Sequence, residues 1–170
     1  MPEYLTDPFL WGIGVVLLIL FWRLRRPLTP HARNIKDSKR LYRRLCRQPQ
    51  GAGKLNRLKQ IDPYLFEELL LTAFEKKGYR IERNSKYAGD GGIDGKLFLG
   101  RKRYYIQAKR YRNYIRSEHV SEFISLCERD RVQGYFVHTG KTPDSVKKLF
   151  AQQKRVELIS GPRLLSLFRR

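Results

Sequence analysis

Residues 89–109 read GDGGIDGKLFLGRKRYYIQAK, and the pairing of the two extended runs inside this stretch decides the fold. Gly100-Arg101 has the composition of a two-residue hairpin loop of type II′, which takes Gly at its first position. If these two residues form the loop, Leu99 faces Lys102 and, further along, Asp94 faces Gln107. Side chains alternate between the faces of a strand, so Gln107 and Lys109 share one face. Ile93, Leu97, Leu99, Tyr104, Ile106 and Ala108 fall on the other, which is apolar throughout. A slip by one residue would turn that apolar set outward, so the register is expected to be firmly held.

On either side of the hairpin the periodicities are legible. Asp62-Pro63 reads as a helix start, with Asp as N-cap and Pro at the first position; Leu65, Phe66, Leu69, Leu70, Ala73 and Phe74 make one apolar face, and Gly78 stops it. GYRIERN, IDGKLFL and RYYIQAK read as strands, SEHVSEFISLCERD as a helix and VQGYFVH as a strand. TPDSVKKLFAQQ reads as a helix capped by Thr142, VELIS as a short strand and PRLLSLF as a closing helix. The order α-β-β-β-α-β-α-β-α describes an α/β fold, a mixed β-sheet flanked by helices, over residues 61–170.

Charge separates the rest of the chain into zones. The 170 residues carry 36 Lys+Arg against 16 Asp+Glu, a net charge of +20. Such an imbalance makes a polyanion the default partner, nucleic acid first and an anionic membrane surface second. Residues 1–22 hold only Glu3 and Asp7, whereas residues 23–60 hold thirteen Lys/Arg against Asp37 alone. Cys46 and Cys127 are too far apart for a zinc cluster or a disulfide framework.

The tract from Phe9 to Trp22, FLWGIGVVLLILFW, is apolar on every side. Its fourteen residues amount to about 21 Å of helix, and counting from Tyr4 to Leu24 reaches the length that a hydrocarbon core of about 30 Å requires. The expectation is an N-terminal membrane anchor over residues 1–24, one transmembrane helix with residues 5–24 in the membrane. Arg23, Arg25 and Arg26 place its C-terminal side in the cytoplasm by the positive-inside rule, a single-pass N-out topology. Residues 25–60 are expected to be a basic juxtamembrane linker. It holds a short helix opened by Asp37 or Ser38, with Leu41 and Leu45 at i, i+4, and Gln48 to Asn56 form the boundary.

The hairpin also assembles chemistry. Directly opposed residues of an antiparallel pair have Cβ atoms about 4.5–5.5 Å apart, so the Asp94 carboxylate and the Gln107 amide oxygen could share one hard cation. A backbone carbonyl such as that of Ala108 would add to this oxygen shell, and Mg²⁺ accepts such ligands with several waters. Lys109, on the same face as Gln107, could orient or deprotonate a water or neutralise charge on a phosphorane-like transition state. Glu67 lies at the border of the helix's apolar face and could complete the set, whereas Glu68 shares a row with Thr72 and Glu75 and is expected to be solvated. Asp90 reads as a turn residue in the glycine loop Gly89 to Gly92. Between Arg101 and Arg116 lie seven Lys/Arg and no acid, interleaved with tyrosines. Arg103, Arg110, Arg112, Arg116 and Tyr111 are therefore the candidate nucleic-acid contacts. His31, His119 and His138 lack ligand spacing.

FEELL, GDGGIDG, YYIQAKRY, GYFVHTG and VELISG together resemble the catalytic domain of Mrr-like restriction endonucleases, within the PD-(D/E)XK nuclease superfamily. The resemblance covers residues 63–168 and implies a restriction-endonuclease-like fold. It also implies a divalent-metal phosphodiesterase acting on DNA with Mg²⁺, Mn²⁺ being an alternative. In it Asp94 would be the metal carboxylate, Gln107 would stand where Glu is more usual, Lys109 would be the catalytic lysine and Glu67 the helical acid. Such proteins carry a separate DNA-recognition domain, where this chain has an apolar tract and a basic tail. A nucleic-acid-binding module without cleavage, and a repair or junction-processing nuclease, are the alternatives to restriction. Cutting both strands with one such site asks for two protomers, which points to a homodimer.

Overall fold

A computed structural model of the chain describes residues 8–24, 29–84 and 92–169. Two units emerge, Met1–Pro30 and His31–Arg170. The first contains α1 (Pro8–Leu24), in which every side chain from Trp11 to Trp22 is exposed. The 17 residues of α1 rise about 26 Å, less than a hydrocarbon core of about 30 Å. Among the described residues no helix is long and apolar enough to cross a membrane. The transmembrane helix expected from the sequence counted from Tyr4, and Tyr4 to Asp7 lie outside the described residues, as does the Arg25-Arg26 pair.

The second unit is built on one five-stranded sheet. Its strands are β1 (Arg80–Arg83), β2 (Gly95–Leu99), β3 (Lys102–Lys109), β4 (Gln133–His138) and β5 (Val156–Ile159), in the spatial order β1-β2-β3-β4-β5. β1, β2 and β3 pair antiparallel, and β3, β4 and β5 pair parallel. The helices α4 (Pro63–Lys76), α5 (Ser117–Arg129), α6 (Asp144–Gln152) and α7 (Gly161–Ser166) complete the expected order. Each parallel step from β3 to β4 and from β4 to β5 contains a helix, as a parallel connection requires.

The hairpin has the expected register, with Leu99 opposite Lys102 and Gly95 opposite Ile106. Gly100 has φ 58, the positive value that a type II′ loop demands at its first position. Leu97, Ile106 and Ala108 lie in a core cluster with Phe66, Leu69 and Leu70 of α4. Two members of the expected apolar face depart from it. Leu99 stands at the exposed end of the hairpin, and Ile93, ahead of β2, packs into the second cluster with Tyr105, Phe123 and Phe136. The helix cap at Asp62 is as expected, its Oδ1 accepting from Leu65 N at 3.1 Å. Thr142 is not a cap: α6 starts after Pro143, and the Thr142 hydroxyl instead meets His138 Nε2 at 3.3 Å.

The stretch expected to be a linker is folded where it is described. α2 (Pro30–Arg47) is longer than the helix expected from Asp37 or Ser38, and α3 (Ala52–Leu58) falls in the supposed boundary. Leu41, Leu45 and Leu58 belong to the same core as α4. Ser38 lies in mid-helix and fully buried, bonding Ile35 O and Thr72 Oγ1, both at 2.9 Å. A hydroxyl aimed at another hydroxyl on a distant helix has no periodic signature, so the docking of α2 on α4 was not visible in the chain.

His138, at the end of β4, is wholly buried, and burial pushes its pKa down to about 4. The unfolded chain therefore binds a proton near pH 6.5 that the folded one resists until about pH 4, so stability falls as pH drops through that window. The loss from this group is on the order of 3 kcal/mol. Urea unfolding of wild type and His138→Gln at several pH values should give a flatter profile for the variant between pH 6.5 and 4.

Candidate active site

The site forms where β2 begins and β3 ends. Asp94 immediately precedes β2, and its N–H donates at 2.9 Å to the carbonyl of Ile106, the residue that also faces Gly95. Its side chain completes the same edge, with Oδ2 accepting from Ala108 N at 2.6 Å. The paired register runs from Leu99 opposite Lys102 to Gly95 opposite Ile106. The expected facing of Asp94 and Gln107 lies one position beyond it, where the Asp94 N–H turns in to Ile106 O instead of away from β3 as a regular ladder would have it. In a strand the N–H and C=O of one residue point to the same side, so the Ala108 carbonyl faces the Asp94 carboxylate. Lys109 O points the other way, to Thr139 N on the segment after β4.

Gln107 is 5% exposed, and its Oε1 is buried with no hydrogen-bond partner. A buried amide oxygen left unpaired costs on the order of 1–3 kcal/mol, unless something outside the protein satisfies it. Gly92 forms the floor beside it: a Cβ at this glycine would stand 3.1 Å from Gln107 Nε2, and φ there is +88. A carboxylate, an unpaired amide oxygen and a backbone carbonyl, all hard donors at one strand end, fit Mg²⁺ chemistry. Among the described residues no group of three His, Cys, Asp or Glu is placed to hold a metal ion, so the described donors are these three oxygens of mixed type. The remainder of the glycine loop, with Gly89, Asp90 and Gly91, lies outside the described residues.

Glu67 approaches from α4. Burial, reinforced by the negative charge of Asp94 and opposed by Lys109, pushes its carboxyl up to about 8. These couplings place Glu67, Asp94 and Lys109 in one electrostatic neighbourhood. Lys109 is half-buried at the last position of β3 and pairs in register with His138.

Glu68 is not solvated. It is 2% exposed, its Oε2 accepts from Arg83 Nε at 3.0 Å, and its Oε1 lies 3.6 Å from His31 Nδ1. The sequence row shared with Thr72 and Glu75 looked polar because α2 and β1, which cover it, could not be placed by periodicity. This cluster locks α4 between α2 and β1 directly beside Glu67. Thr139 is a second residue that sequence reasoning missed. Its hydroxyl accepts from Tyr111 N at 3.0 Å and donates to Tyr111 O at 2.8 Å, holding the chain just beyond Lys109.

The candidate DNA contacts divide. Arg112 and Arg116 are exposed close to Lys109 in sequence, as is Tyr114, over whose ring Lys141 Nζ sits at 5.7 Å. Arg110 donates to Lys59 O at 2.8 Å, which ties β3 to the turn after α3. Tyr111 is held by Thr139 and by a hydrogen bond between its hydroxyl and His119 Nδ1, so its ring is committed to packing. Arg103 stands over the Tyr105 ring near the start of β3, about 20 Å of strand from Lys109.

Comparison with known proteins adds to this geometry. A type IV methyl-directed restriction enzyme, EcoKMrr of Escherichia coli (strain K12), is 29% identical over 121 residues, which cover 66% of this chain and 40% of that enzyme. This chain thus spans less than half the length of that relative. Among solved structures, the MspJI restriction endonuclease in complex with a 27-mer oligonucleotide matches 84% of this chain and 32% of its own, with 21% identity and a TM-score of 0.46. The SfsA protein of Pyrococcus furiosus, in complex with Ca²⁺, matches with 19% identity and a TM-score of 0.38, over 62% of this chain and 56% of its own. Residues 58–168, which carry every group of the site just described, match the Mrr catalytic-domain family, described as restriction endonuclease, and the chain belongs to that family.

Proposed function

We propose that this chain is a divalent-metal-dependent endonuclease that hydrolyses phosphodiester bonds of DNA. The observation that carries the proposal is the unpaired Gln107 Oε1, buried next to Ala108, whose N–H holds the Asp94 carboxylate, in a domain of this family. Asp94, Gln107 and the Ala108 carbonyl would hold the cation. When bound, a divalent ion supplies Lewis-acid stabilisation of charge on the scissile phosphate.

The chain's own groups set the remaining conditions. The Ala108 N–H, by holding Asp94 Oδ2, orients the carboxylate toward the strand end. Lys109, on the face shared with Gln107, offers three N–H donors to a water or to a phosphate oxygen. Glu67 with its pKa raised to about 8 is a neutral acid at pH 7 and can hold or give a proton at its carboxyl. The amide of Gln107 leaves the site one negative charge poorer than a second carboxylate would, so the cation is held less tightly.

Attachment to a membrane is a second proposal, carried by α1, whose apolar side chains from Trp11 to Trp22 are exposed on all sides. Together with Arg23, Arg25 and Arg26 it supports an N-out arrangement with the nuclease domain in the cytoplasm. On this reading the full chain stays with the membrane fraction after an alkaline carbonate wash, and deletion of residues 1–28 releases it. Recovery of the full chain in the wash would refute attachment.

With Mg²⁺ the full chain should nick supercoiled plasmid, and Asp94→Ala or Lys109→Ala should lower the rate by at least about a hundredfold, the usual scale for removal of a charge-stabilising group. Nicking by both variants at the wild-type rate would remove the assignment. Cation binding at Asp94 also favours the ionised form of Glu67, so binding below about pH 8 should expel a proton. Calorimetric titration with Mg²⁺ in buffers of different ionisation enthalpy should register that proton at pH 7 in wild type and not in Glu67→Gln. Affinity for Mg²⁺ should correspondingly rise with pH toward 8 in wild type only.

A further inference from the structure

The family match begins at residue 58, and α2 lies entirely ahead of it. From Arg33 to Arg47 this helix carries seven Lys/Arg, all exposed, against one acid, Asp37. At 100° per residue the seven cations fall within about 140° of arc, opposite the buried Ser38, Leu41 and Leu45. They extend over about 21 Å of helix, and each turn of 5.4 Å adds two. Arg40, Arg43, Arg44 and Arg47, with Gln48, line a shallow depression of about 390 Å³. Of the seven, Arg40 meets Asp37 at 3.8 Å and Arg43 Nε donates to Lys39 O at 3.3 Å, both within the helix itself.

We infer that this stripe is a second DNA-binding surface, which grips the phosphate backbone of a duplex outside the catalytic cleft; the inference rests on DNA being the substrate of the site. Three observations favour it. The first turn of α2 lies against α4, the helix that carries Glu67, since His31 Nδ1 is 3.6 Å from Glu68 Oε1. Five of the seven cations are arginines, whose planar fork matches two phosphate oxygens at once. The helix has no apolar face left for a lipid surface, because Leu41 and Leu45 are spent in the core. An interfacial helix that inserts among lipid tails needs such a face, whereas a duplex is held by charge; anionic headgroups attract by charge as well, and the vesicle arm of the test separates the two.

The test measures binding without cleavage. Full-length protein in non-ionic detergent with EDTA is titrated into a fluorescent 30-base-pair duplex at several KCl concentrations. The comparison is with Arg40→Gln/Arg43→Gln/Arg44→Gln/Arg47→Gln, and with the same four positions changed to Lys. The expected result is an affinity at least about tenfold lower for the Gln variant. Its salt slope should be shallower by about 0.9 for each phosphate no longer neutralised, and the Lys variant should recover most of both. Duplex affinity and slope equal to wild type in the Gln variant would overturn the inference. A parallel flotation with phosphatidylcholine vesicles, with and without 30% phosphatidylglycerol, separates the other source of phosphate. If the variant loses only its preference for the anionic vesicles, the stripe binds lipid and the inference fails. If the wild type binds duplex through these arginines yet never nicks plasmid, the stripe stands and the endonuclease proposal falls.

Discussion

The hydrogen bond from Ala108 N to Asp94 Oδ2 joins the sheet to its chemistry. Asp94 N already donates to Ile106 O, so the residue is held at two points of the β3 edge, by backbone and by side chain. The Gly100-Arg101 loop sets the register from the other end of the hairpin. Between these two constraints Gln107 and Lys109 can project only to one face. The apolar residues Ile106 and Ala108 meanwhile fill the core against α4. A one-residue slip would bury Lys109 and expose Ile106, so the hydrophobic energy of the core also enforces the geometry of the site.

A second constraint comes from α4. Glu68 is a buried carboxylate paired with Arg83 and facing His31, and removing one partner of such a cluster is commonly strongly destabilising. Its structural consequence is positional: the cluster fixes the rotation of α4 and so decides that Glu67, one residue earlier, faces Asp94 and Lys109. The two adjacent glutamates thus differ in kind. Burial raises both carboxyls; at Glu68 the Arg83 guanidinium opposes that rise, while at Glu67 the Asp94 charge adds to it, only partly offset by Lys109, and leaves the group protonated at neutral pH.

The order of elements from residue 62 onward and the hairpin register are both legible in the residues themselves. Their signals are local: Asp-Pro at a helix start, Gly at a two-residue loop, and alternation of apolar side chains along β3. The approach of Asp94 to the end of β3 follows from the hairpin that joins the two strands. What failed to show were contacts between elements distant in sequence. Ser38 bonds Thr72, Arg110 bonds Lys59, and Thr139 holds Tyr111. Each joins polar groups across 28 to 51 positions, and polar residues follow no period that would announce a partner. For the same reason Tyr111 and Arg110 looked like nucleic-acid contacts although both are engaged within the protein.

The residues ahead of α4 divide in the same way. Composition alone determined that residues 23–60 are overwhelmingly basic and that the tract before them is apolar, because charge and hydropathy are sums over residues. Only tertiary structure decided that α2 and α3 are part of the domain, since their burial depends on a complementary surface made by α4 and α7. The sequence likewise determined which groups could form a cation site, through a register that two loop residues set. Whether Gln107 Oε1 is left without a partner, and whether Glu67 faces that site, depended on how helices from elsewhere in the chain cover the strands. Such covering is a property of shape, and no single segment contains it.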